Sequence, residues 1–128
     1  MRTPLSRVRY LGSAHGGTAD FWRVRITGAA IFLLSIVFVI VLIAAIGRPY
    51  AGVAALIGSP LIAAIFALLI AVTAIHMRIG MQEIIEDYVH GERSKILLTV
   101  GNTFFSAAVG VVGVIAVVKL AAGVIGNG

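Results

Sequence analysis

Charged and apolar positions along this chain are sorted into blocks rather than interleaved. Residues 28–46 form 19 consecutive positions without a charge, and residues 60–75 form a second apolar run. A third run covers residues 96–125 and is broken only by Lys119 near its far end. A hydrocarbon core takes about 20 residues of helix to cross, and continuous apolarity over that length marks a helix with lipid on most sides. The pattern predicts three spans, at residues 22–46, 60–88 and 96–125. Ser59-Pro60 suits the start of the second, serine as N-cap and proline as first helical residue.

The second helix is expected to outgrow the bilayer. Beyond Ile75 it turns amphipathic and keeps helical periodicity to Asp87 or Tyr88. At 1.5 Å per residue it reaches roughly 40 Å, against a slab of about 30 Å. His76 then falls within one leaflet, with Asp87 and Tyr88 at or just above the interface.

Composition agrees with a membrane chain. Of 128 residues, 60% are hydrophobic and 12% charged, whereas soluble domains are about 45–50% apolar and about 25% charged. That leaves no room for a separate soluble catalytic domain, and residues 1–128 read as one membrane-anchor domain. The absence of cysteine excludes disulfides, thiol chemistry and iron–sulfur ligation by this chain.

A net charge of +5 could suggest nucleic acid, but the cations sit where apolar runs end. Arg2, Arg7, Arg9, Arg23 and Arg25 precede the first span, and Arg93 and Lys95 precede the third. The first connection, residues 47–58, carries only Arg48, and nothing charged follows Lys119. Cations gather on the cytoplasmic side, so the N-terminal segment 1–21 and the second loop are expected there, with the C-terminus periplasmic. The remaining role of the cations is contact with headgroups, not nucleic acid. The first 26 residues are polar and basic, and the apolar stretch after them is too long for an h-region. No cleavable signal peptide is expected.

Chemistry concentrates in the segment His76-Met77-Arg78-Ile79-Gly80-Met81-Gln82-Glu83-Ile84-Ile85-Glu86-Asp87-Tyr88. An ionisable side chain at membrane depth is costly and defaults to a functional role. An imidazole there ligates a metal, relays a proton or bonds a neighbouring helix, and the residues alone leave these open. Eleven residues is close to a whole number of turns, so His76 and Asp87 share a face, about 16 Å apart along the axis, and Tyr88 is expected on the same strip. Gly80 and Glu83 fall on that face one and two turns from His76. A glycine one turn from a histidine suits an axial haem ligand, since a macrocycle on the ring would strike a larger side chain. The other histidines, His15 and His90, lie outside the apolar runs. A haem with two histidine ligands would therefore take its second from a different polypeptide.

Asp87-Tyr88 reads either as a proton-handling pair beside a quinone carbonyl or as a solvated acid next to an interfacial tyrosine. Glu83, Glu86 and Glu92 read as a solvated helix end and loop. Met77 and Met81 read as packing residues. Thr99, Thr103, Ser106, Gly110 and Gly113 make a stripe of small residues on the third span. It suits ordinary helix packing or a neighbour from another chain.

The run His-x3-Gly-x6-Asp-Tyr on the second of three spans resembles the smaller hydrophobic membrane anchor of succinate dehydrogenase (respiratory complex II). The stretch Gly17-Thr18-Ala19-Asp20-Phe21-Trp22-Arg23-Val24-Arg25 is similar to the approach to that family's first span, in the alphaproteobacterial and mitochondrial-like branch. The resemblance implies an all-α membrane protein of three transmembrane helices packed with a second membrane anchor, the cytochrome b subunit. It implies that His76 is an axial ligand of a haem b shared between the two anchors, with Gly80 giving room. Tyr88 and Asp87 would line a ubiquinone site near the docked iron–sulfur subunit, and Arg25 would lie near the haem propionates or quinone pocket. Succinate would be oxidised on a flavoprotein subunit, within the tricarboxylic acid cycle and respiratory chain of a bacterial inner membrane. No dicarboxylate chemistry falls to this chain. Relatives often carry a histidine beside the phenylalanine of the first motif, where this chain has Ala19 and Asp20; His15 is out of register. The competing reading is a small non-redox scaffold or transporter component with a structural histidine, although no inverted repeat or broken helix pair supports a transporter.

Overall fold

The long apolar runs fold as helices because lipid offers no partner for backbone N–H and C=O groups, so each segment bonds internally. The computed structural model describes residues 12–127, with side chains described for residues 18–126. Arg2, Arg7, Arg9 and the side chain of His15 lie outside those residues. Four helices follow one another: α1 (Gly12–Ala45), α2 (Tyr50–Ile57), α3 (Pro60–Tyr88) and α4 (Glu92–Asn127). Among the described residues, α1, α3 and α4 are long and apolar enough to cross a membrane. The protein is all-helical with three spans.

α3 is the central helix. It packs against α1 and against α4, while the backbones of α1 and α4 stay apart among the described residues. A three-helix layer of this kind encloses little, and none of the described large side chains is fully buried. The main apolar cluster joins Val41, Ala63, Phe66 and Val117, with Phe38 and Phe66 ring centroids 5.4 Å apart. It lies toward the end of the bundle that carries Arg48, away from most of the charges.

The first connection is not a plain loop, for α2 folds within it. The chain leaves α1 through Gly47 at φ +80, a left-handed conformation that glycine adopts without penalty. Leu56 and Ile57 of α2 then pack onto the apolar cluster. Ser59 occupies the N-cap position of α3 without capping it; its hydroxyl donates back to the Leu56 carbonyl at 2.9 Å.

The small-residue stripe of α4 faces α3 of its own chain. A Cβ on Gly110 would lie 3.1 Å from Ala74 Cβ, and one on Gly113 would lie 2.7 Å from Ile70 Cγ2. Within lipid the hydrophobic drive between helices is lost, so close approach and hydrogen bonds carry association. Of the two readings of the stripe, packing within the chain is the one observed.

Candidate functional site

His76 is held from α1. Thr27 Oγ1 lies 2.9 Å from His76 Nδ1, and the same oxygen lies 2.6 Å from the Arg23 carbonyl and 3.2 Å from that of Val24. Beside it, Gly28 faces the ring: a Cβ there would stand 3.6 Å from His76 Cε1, at ordinary contact distance. Thr27 immediately precedes the charge-free run 28–46 and follows Arg25 by two residues. The imidazole therefore sits level with the boundary between the charged and apolar parts of α1.

The other ring nitrogen has no partner among the described residues. No fully buried side-chain nitrogen or oxygen lacks one, so His76 Nε2 reaches the surface of the chain. One turn along, a Cβ added to Gly80 would meet nothing within 4 Å. Further along the same strip, Glu83 and Asp87 are exposed. The strip is open from the imidazole to the charged end of α3. Among the described residues no cluster of three or more His, Asp or Glu could cage a metal. What this strip offers is one imidazole, that of His76.

Tyr88 is placed elsewhere. It is 76% exposed and lines a groove of about 400 Å³ between the end of α3 and α4, with Ile84, Ile85, Leu97, Leu98 and Phe105. Twelve residues of helix turn it about 120° from His76. Asp87 keeps the His76 face and Tyr88 leaves it. Arg25 stacks its guanidinium 4.4 Å above the Phe21 ring, and no hydrogen bond joins it to His76. Its neighbour Arg23 pairs with Asp20 at 3.6 Å, both exposed, a geometry that contributes little in water.

A polar ladder between α3 and α4 went unread in the sequence. Buried Asn102 donates to the Arg78 carbonyl at 2.9 Å, and Ser106 donates to Asn102 Oδ1 at 3.4 Å. Gln82 donates to Thr99 at 3.1 Å and to Glu86 at 3.2 Å, while Arg78 Nε reaches Thr103 at 3.5 Å. Beside the ladder, Ala71, Ala74, Gly110 and Val114 help line an apolar groove of about 550 Å³. A lone amide inside an apolar run was the available signal for Asn102. Met77 is partly buried, while Met81 is exposed and lines the Tyr88 groove.

Residues 1–120 match the family described as succinate dehydrogenase/fumarate reductase transmembrane subunit. The chain belongs to that family. It is 32% identical over 123 residues to the succinate dehydrogenase hydrophobic membrane anchor subunit of Paracoccus denitrificans, across 96% of this chain and 95% of that one. No solved structure matches it. As a member of this transmembrane-subunit family the chain is a membrane anchor, and its three spans suit that task. An anchor of this family works within an assembly, which accords with the thin, open layer that the helices form.

Proposed function

We propose that this anchor serves a succinate:quinone oxidoreductase, supplies one axial ligand of haem b through His76 Nε2, and forms part of a ubiquinone site with Tyr88 and Asp87. The observation that carries the haem assignment is the division of labour on one ring. Nδ1 is engaged by Thr27 within the chain, while Nε2 faces outward beside an open glycine. Imidazole nitrogen is a normal axial donor to haem iron, and the residues present fit such a group. Bound there, the haem would supply a one-electron carrier. A second axial donor would come from the partner anchor, the cytochrome b subunit.

Tyr88 and Asp87 act at the charged end. The exposed phenol can donate a hydrogen bond to a quinone carbonyl, and the adjacent carboxylate can orient it or pass protons from water. Arg25 carries a guanidinium suited to a propionate carboxylate, at the level of the membrane boundary. The density of cations at this end orients it toward the cytoplasm of a bacterial inner membrane. There it would meet the iron–sulfur subunit, which receives electrons from succinate oxidised on the flavoprotein subunit. Tricarboxylic acid cycle and respiratory chain would join at this complex.

The Thr27–His76 bond is also what a non-redox scaffold with a structural histidine would need, so the test must address iron. The detergent-extracted complex is expected to contain flavoprotein and iron–sulfur subunits and to show a b-type visible spectrum. His76→Ala is expected to abolish or displace that spectrum, measured against flavin content. An unchanged spectrum in a fully assembled variant would overturn the ligand assignment.

A further inference from the structure

We infer that Thr27 is a positioning residue that fixes His76 in the tautomer protonated at Nδ1 and so presents Nε2 with its lone pair outward. The inference deepens the haem reading and rests on it. A threonine hydroxyl has one proton to give and two lone pairs to accept with. The Arg23 and Val24 carbonyls within reach of Thr27 Oγ1 are acceptors alone, and the Arg23 oxygen is nearest at 2.6 Å. That proton is therefore committed along α1, in the back-bond to the residue four positions earlier that threonine commonly makes in helices. At 2.9 Å from Nδ1 the hydroxyl oxygen has only lone pairs left, so the imidazole is the donor.

The consequence falls on the far side of the ring. A neutral imidazole carrying its proton on Nδ1 has an unshared pair on Nε2, the nitrogen that reaches the surface. An acceptor on the Nδ1–H also strengthens the ring as a donor and fixes its orientation, as partners behind metal-bound histidines generally do. A stronger donor favours the more oxidised iron and lowers the reduction potential.

The test compares Thr27→Val, which keeps the branched shape and removes the hydroxyl, with Thr27→Ser, which keeps the hydroxyl. Both are made in the complete complex and followed by redox titration of the haem spectrum and by paramagnetic resonance of the ferric state. The valine variant is expected to shift the haem midpoint to a more positive potential and to alter the resonance; the serine variant is expected to match the parent in both. If the valine complex holds no haem, a serine complex with parental haem sustains the inference, whereas a serine complex also without haem overturns it. A parental potential and resonance in the valine variant overturn it too. His76→Ala run in parallel separates the cases. Loss of its haem signal alongside an unaffected valine variant removes the role of Thr27 and leaves the ligand standing. A retained signal removes the ligand itself.

Discussion

Tyr88 and His76 stand 12 residues apart on α3 yet open onto different sides of it: His76 meets Thr27 of α1, while Tyr88 lines a groove against Leu97, Leu98 and Phe105 of α4. One helix thus presents two surfaces that can be altered separately. If the phenol serves a quinone and the imidazole serves iron, damage to one should leave the other readable.

Tyr88→Phe is accordingly expected to lower quinone reduction by about tenfold, the effect of losing a hydrogen bond of about 1.5 kcal/mol. Succinate oxidation with a soluble artificial acceptor and the haem spectrum should stay at parental levels. The side chain is largely exposed, so the fold has little reason to respond. Equal loss of both activities would point to failed assembly instead.

Gly80 and Gly113 make a contrasting pair. A side chain on Gly80 meets nothing in this chain, whereas one on Gly113 runs into Ile70 at 2.7 Å. Gly80→Leu is expected to yield an anchor that inserts and assembles but lacks a normal haem spectrum. Gly113→Leu should lower the amount of assembled complex, since overpacking costs about 1–3 kcal/mol. Parental haem in an assembled Gly80→Leu complex would place the macrocycle elsewhere.

The three spans were legible because lipid demands long uncharged runs, and residues 28–46 and 60–75 supply them with little ambiguity. The strip from His76 through Gly80 to Asp87 was legible for a similar reason, since helical periodicity alone sets it. Tyr88 was expected on that strip with Asp87, and the structure corrects this: one further residue turns it about 100°, into the groove against α4. Thr27 was not legible. Its contact depends on how α1 crosses α3, and no local pattern encodes the meeting of residues 49 positions apart. α2 escaped notice because eight residues between Pro49 and Gly58 are too few to show a helical period, and only Leu56 and Ile57 pack on the Phe66 cluster. The stripe on α4 announced close approach but not which helix approaches.

Among the described glycines, Gly58 has the least room for a side chain. A Cβ there would lie 2.6 Å from Val124 Cγ2, 2.8 Å from the Ala54 carbonyl and 2.9 Å from that of Leu120. Two of these neighbours are backbone and cannot swing aside. Gly58→Ala is expected to destabilise the subunit by about 1–3 kcal/mol, read as a lower temperature at which the purified complex loses this chain. An unchanged dissociation temperature would mean that α2 can shift freely.

Asn102→Leu keeps the branching of the side chain, with somewhat more bulk, and removes its bond to the Arg78 carbonyl and to Ser106. Interhelical bonds of this kind contribute about 0.6 kcal/mol on average in membranes and up to about 1.7. The expected result is a loss of about 1 kcal/mol, seen as a modest fall in thermal survival of the complex, with the haem spectrum retained. A lost spectrum would show that the ladder reaches the imidazole.

The most direct test of the account is an experimental density map of the intact complex at a resolution that resolves side chains. The expected map shows a flat macrocycle on the open side of Gly80, its iron bonded to His76 Nε2 while Nδ1 stays on Thr27. A map in which that nitrogen touches only protein or lipid atoms would contradict it.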